Sequence, residues 1–381
     1  MTARRWTGIF GGRPSPRTPL RTSKLRHLRS LVLIWAIASV FFTHPKCSPA
    51  AANAAESDPY YAWHRPPTDA SLSLNHAINQ KFTSVLEEIE RFGLSARMSC
   101  MDVARTLTWP LWGTAMWYFV GGMNDLALSP VPRTNTELRE EYMPKSIYQH
   151  SRLWKWGFIV PPDPTIRVAG VNFSTDKLGH FFHEGREYFE VWHAALNAGH
   201  SGQDAHEIAI WSGIRDENMI QGDIISGIFS YADLEANEQG FRFLQSLCAE
   251  HAPGLRRVDG KWALTRAFDI RMWVNPCWDE AFYPSAFSPR VGEGVRKVLP
   301  SYCALRKRPH VARQRAFYEA QGCKSFSFYY LEELRLAGWI PDNEAYDLEN
   351  LCPTTATPEK YTGGKDGVSE NAAGSKNEHT P

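Results

Sequence analysis

The stretch Asp176-Lys177-Leu178-Gly179-His180-Phe181-Phe182-His183-Glu184-Gly185-Arg186-Glu187 carries two histidines and several acids within twelve residues. At about 100° per residue with His180 at zero, Asp176, His183, Glu184 and Glu187 share a helical sector of roughly 100°. Leu178, Phe181, Tyr188, Phe189, Trp192 and Leu196 take the other side, so the spacing predicts an amphipathic helix. His193 falls outside the polar sector and reads as structural. A second polar helix start, Ser230-Tyr231-Ala232-Asp233-Leu234-Glu235-Ala236-Asn237, follows later in the chain.

Three readings of the polar stripe stay open. It is a solvated face; or it is a polar site facing another helix; or it holds a metal. In the second, a carboxylate beside His180 fixes its tautomer and raises its basicity, as general acid–base chemistry requires. The residues for that work are Asp176, His180, Glu184, Asp233 and Asn237, with Asp176 or Glu184 orienting the ring. In the third, His180, His183, Glu184 and Glu187 offer imidazole and carboxylate to a divalent ion such as zinc or iron. H-E-x-x-H is absent, and Glu190-x-x-His193 is a single E-x-x-H where a di-iron bundle needs two. The expectation is therefore no resident cofactor, with a divalent metal as the exception. G-x-S-x-G, the P-loop and G-x-G-x-x-G are also missing.

The elements that must position these residues follow from pattern and punctuation. Ser174 or Thr175 caps the first helix and Gly199 ends it. Ser201-x-x-Asp204 and Asp204-x-x-Glu207 offer alternative starts for a second. Ser230-x-x-Asp233 reads as the capping box of a third, with Leu234, Phe241, Leu244 and Leu247 on its apolar side. Short connections make an antiparallel bundle their natural packing. Upstream, Leu74, Ile78, Phe82, Val85 and Ile89 recur at helical spacing and Gly93 stops the run. Ile166 to Asn172 reads as one short strand. Arg308 to Gln321 reads as helix, as does Phe326 to Leu336.

The fold expected is mainly α, a helical bundle with an irregular, Cys- and Trp-rich C-terminal lobe. Its parts are a leader at 1–54, a bundle domain at 55–250, the lobe at 251–352 and a disordered tail at 353–381. Residues 1–30 are basic without an acid, Leu31 to Phe42 is apolar, and Ala52-Asn53-Ala54 is an A-x-A candidate. That order is the order of a secretory signal. Twelve apolar residues span only about 18 Å of a roughly 30 Å hydrocarbon core, which disfavours an uncleaved anchor. Export to the periplasm or cell envelope is expected. Seven cysteines fit that setting: without Cys47 six remain, enough for three disulfides in any of fifteen pairings. The uncharged Thr106–Asn124 reads as a core helix, an interfacial helix or a membrane span.

A net charge of +1, from 42 basic and 41 acidic residues, leaves no electrostatic footprint for nucleic acid. Fourteen tryptophans suit a lipid or cell-wall surface as well as an aromatic core.

Asp176-Lys177-x-x-His180-Phe181, followed by Ser230-x-x-Asp233-Leu234-x-x-Asn237-x-x-Gly240, resembles the VanZ-like and related bacterial envelope proteins. The resemblance covers residues 174–245. It implies an envelope setting and groups Asp176, His180, Asp233 and Asn237 as one polar cluster, without supplying a chemistry. The chain departs from that family in having large extra regions on both sides and no clear flanking spans. Two functions follow as expectations: a binding or structural role at the membrane or cell wall, or a hydrolase-type enzyme using His180. A metal-binding helical protein is the third.

Overall fold

The computed structural model describes residues 63–108, 165–217 and 227–323 apart from 284, together with positions 147, 327, 330, 333 and 336. The leader, most of Thr106–Asn124 and the 353–381 tail lie outside the described residues. So does most of Phe326 to Leu336.

Helix α1, Ser71–Arg91, buries Leu74, Ile78, Phe82, Val85 and Ile89, the five positions that its period singles out. Its polar side is also used. Asn75 and Asn79 each donate to and accept from the 268–270 segment, through four contacts of 2.8 Å. Helix α2, Cys100–Thr108, packs beside α1.

The single strand expected at Ile166 to Asn172 is a hairpin instead. Strand β1, Thr165–Val168, pairs antiparallel with β2, Val171–Ser174. Ala169 and Gly170 both adopt positive φ in the two-residue turn, the backbone that tight hairpins require. Helix α3, Asp176–Gly179, follows directly, then a π-helical turn at His180–Glu184, then α4, Gly185–Asn197. The continuous α-helix of the sequence reading is thus interrupted at the candidate site. Such a turn absorbs about one extra residue and rotates everything after it by roughly 100°.

Helix α5, Gly202–Asp216, is capped by Ser201, which prevails over the alternative start at Asp204. Strand β3, Ile228–Phe229, leads into α6, Tyr231–Leu247, capped by Ser230. Helix α6 is buried on nearly every side, acids included, whereas the sequence gives it one apolar side. It packs on the π turn and on α4, and α4 packs on α5. The contact is close because two glycines meet. A Cβ on Gly240 would lie 1.8 Å from the Phe181 carbonyl oxygen, and one on Gly185 would lie 2.7 Å from the Gly240 backbone.

The 251–323 region is more regular than expected. Hairpin β4, Leu255–Val258, with β5, Lys261–Leu264, turns at Asp259-Gly260. Strand β6, Ala286–Phe287, pairs with β3. Helix α7, Pro289–Arg306, forms despite Pro300, and α8 is Pro309–Gln321. Trp278 and Phe287 are completely buried, and the described residues belong to one compact unit. Among the described residues, the protein is mainly helical with three two-stranded sheets.

Disulfides join Cys100 to Cys248 and Cys277 to Cys323. The first ties α2 to the end of α6; the second ties the turn before Asp279 to the end of α8. Such bonds persist in oxidising compartments. No helix among the described residues is long and apolar enough to cross a membrane.

Candidate functional site

The N-terminal part of the polar stripe is buried, whereas Glu187 at its other end is exposed. Asp176, Lys177 and His180 are 2%, 0% and 5% exposed. They lie against α6 and against the segment that follows a short 3-10 turn at Pro276–Trp278. The centre of the cluster is the Lys177 ammonium. It donates to Asp176 Oδ2 at 2.8 Å and Glu280 Oε1 at 2.7 Å, and it pairs with Asp233 Oδ1. One cation therefore bridges three buried carboxylates drawn from α3, α6 and the 279–283 turn. Ser174 Oγ donates to the other Asp176 oxygen.

His180 sits on the far side of Asp233. Its Nε2 is 3.2 Å from Asp233 Oδ2 and its Nδ1 is 3.0 Å from Asn237 Oδ1. Burial works to raise the Asp233 pKa, but His180 and Lys177 outweigh it and hold the carboxyl below its ordinary range. The Ser230 hydroxyl faces the Asp233 backbone N–H, and Glu217 Oε1 accepts from the Ser230 backbone at 3.0 Å. The cap of α6 is thus fixed from the end of α5.

Of the five residues read as acid–base candidates, Asp176, His180, Asp233 and Asn237 come together and are buried. Glu184 does not join them. The π turn directs it, with His183, towards Glu187: His183 Nδ1 lies 2.7 Å from Glu184 Oε1, and Nε2 lies 3.7 Å from Glu187 Oε1. The four-residue metal set is divided in the same way. His180 stands with Asp176 and Asp233, while His183, Glu184 and Glu187 form a second group. Lys177 bonds both carboxylates of the first group and takes the place an ion would need. His193 is apart from both groups, its Nδ1 2.7 Å from Arg105 Nη2.

Two residues central to the cluster are not among the candidates read from sequence. Lys177 falls at about +60° on the helical wheel, beside the apolar side, where a lysine ordinarily reaches past its stem to solvent; only its carboxylate partners turn it inward. Glu280 comes from the region read as irregular and carries no local signal. Its neighbour Asp279 is fully buried and accepts from Trp63 Nε1 at 2.7 Å and the Tyr318 hydroxyl at 2.8 Å. Burial pushes its pKa up to about 7 against these donors.

The cluster adjoins a small cleft partly open to solvent. Glu184, Glu187, Tyr188, Asp216, Glu217 and Asn237 line it. Asn237 belongs to both, touching His180 inward and forming cleft wall outward. Desolvation and then the Glu184 charge push the Glu187 pKa up to about 7. Burial, first, drives the Tyr188 phenol well above its ordinary range.

No family model matches the chain, no curated protein is similar to it at a significant level, and no solved structure matches its fold.

Proposed function

We propose that this is an exported bacterial envelope protein with a binding role at the cell wall, and that its ligand site is the acidic cleft. The observation that carries the reading is the cleft wall, where Glu184, Glu187, Asp216 and Glu217 converge. Carboxylates in a concave, low-dielectric setting focus negative potential and select positively charged groups. That favours the amines of cell-wall peptides over anionic lipid headgroups. The buried Lys177 network is then the scaffold: it fixes α3, α6 and the 279–283 turn to one another and holds Asn237 at the cleft. The leader, the disulfides and the resemblance over 174–245 support an envelope setting, and a helical bundle around α4, α5 and α6 is the architecture this reading uses.

The test is sedimentation of the purified protein with isolated cell-wall material and, separately, with anionic liposomes. Asp216 is a suitable variant position, since its side chain is 41% exposed and its ion pair with Arg215 is a weak surface contact. Asp216→Lys is expected to weaken wall binding at least tenfold. Equal binding of wild type and variant, or binding to liposomes alone, would refute the reading.

A second reading, a hydrolase-type enzyme, draws on the placement of His180 between Asp233 and Asn237. Both ring nitrogens face protein oxygens at 3.2 and 3.0 Å. Acid–base work by His180 therefore requires Asn237 to turn towards the cleft and release Nδ1. Turnover of a wall-derived ester or amide that is lost in a folded His180→Gln variant would favour this reading.

A further inference from the structure

We propose that the outward face of α8, with the basic corner that leads into it, docks on an anionic lipid bilayer. Between Pro289 and Gln321 the chain has eight lysines and arginines against two glutamates, although the whole chain is balanced at +1. The corner between α7 and α8 gathers this charge. Lys307, Arg308 and Arg313 are exposed, and among the described residues no carboxylate pairs with them. His64 joins them from the N-terminal side, its ring centroid 5.2 Å from that of His310. Burial, then the charges of His64, Arg313 and Arg308, hold the His310 pKa below its ordinary range, as expected where basic groups converge. Helix α8 also starts here, without a side-chain cap, so its dipole adds positive potential at the same end.

The face that continues from this corner is largely apolar. Val311 and Tyr318 turn the other side of α8 into the core. With Val311 at zero on the helical wheel, Pro309, Arg313, Ala316, Phe317 and Ala320 fall in a sector of roughly 100° opposite the core, and all five are exposed. Phe317 is a large ring left 46% exposed, one helical turn from Arg313. Glu319 lies outside the sector. Asp69, beside the turn that Phe317 touches, already accepts from the backbone N–H groups of Ser71 and Ala169 at 2.8 Å. Cations beside an uncovered aromatic ring suit a bilayer surface: the arginines meet lipid phosphates while the ring enters the headgroup boundary. A soluble phosphate polymer would use the charges and leave the ring in water. The surface shares no residue with the acidic cleft and does not depend on the wall-binding reading.

The experiment follows amide hydrogen exchange of α8 in the full chain, with vesicles of phosphatidylglycerol or of phosphatidylcholine. Phosphatidylglycerol is expected to slow exchange across Pro309–Gln321 at least tenfold, phosphatidylcholine to leave it unchanged, and about 1 M salt to reverse the slowing. Reading α8 itself separates this surface from the basic and apolar stretch at 1–42. Arg308→Glu combined with Arg313→Glu should abolish the slowing, at about fivefold per charge removed. Phe317→Ala should weaken it at least threefold. All three side chains are exposed, so melting temperatures should match wild type. Asp216→Lys should change nothing here, which distinguishes failure of this surface from failure of the cleft. Absence of slowing with phosphatidylglycerol overturns the proposal, as does equal slowing with phosphatidylcholine or in the variants. Slowing by isolated cell-wall material but not by vesicles would assign the face to a wall polyanion and overturn it too. So would a wild-type dimer that Phe317→Ala dissociates, with no vesicle effect.

Discussion

Lys177 shows how strongly one side chain depends on its neighbours. A buried ion network contributes little net stability, because desolvation offsets its attraction, yet removing one partner strands the rest. Lys177→Met leaves Asp176, Asp233 and Glu280 facing one another without a cation. The expected cost is about 3–5 kcal/mol, read as a fall in the urea midpoint, and an unchanged midpoint would contradict the network. Asp279 gives the pH counterpart. Its native pKa of about 7 lies above its unfolded value, so the native state holds a proton that the unfolded state releases. Its contribution is fully present below about pH 4 and is lost as pH rises towards 7, at most on the order of 4 kcal/mol. Asp279→Asn should remove that fall from the pH profile of unfolding. An identical profile in wild type and variant would show that the carboxyl is ionised throughout.

The elements were legible where local chemistry alone decides them. The five inward positions of α1 follow from the 3.6 period, and Ser201 and Ser230 cap as their spacing indicates. The turn at Asp259-Gly260 carried an equally local signal that the sequence reading passed over. Other features depend on partners far along the chain. The π turn has no composition of its own, and it lies where α6 approaches the Phe181 carbonyl over Gly240. Glu280 joins the cluster because β6 pairs with β3 and Asn275 Nδ2 donates to Glu235 Oε1 at 2.6 Å. Helix α7 was hidden by Pro300 and two glycines, which read as breakers until tertiary packing overrides them. The glycine contact makes its own prediction. Gly240→Ala should destabilise by at least about 2 kcal/mol, since neither backbone can yield, whereas Gly202→Ala meets nothing within 4 Å and should be close to neutral. Equal thermal shifts for the two variants would contradict the close approach.

At the scale of the whole molecule, the Cys100–Cys248 and Cys277–Cys323 disulfides clamp the ends of elements that build the site. Cys100 and Cys248 are separated by 148 residues, so their bond restricts the unfolded chain strongly. Replacing both with serine is expected to cost about 2–5 kcal/mol, and reductant should then have a smaller effect on the melting temperature than in wild type. The polar residues fall into a buried, ion-paired cluster around Lys177 and an acidic cleft, with Asn237 as the shared wall. The most direct test of that division is the affinity of isolated cell-wall material for wild type and for Asp216→Lys, at matched salt and with matched melting temperatures. The account predicts at least a tenfold loss in the variant, and equal affinity would contradict it.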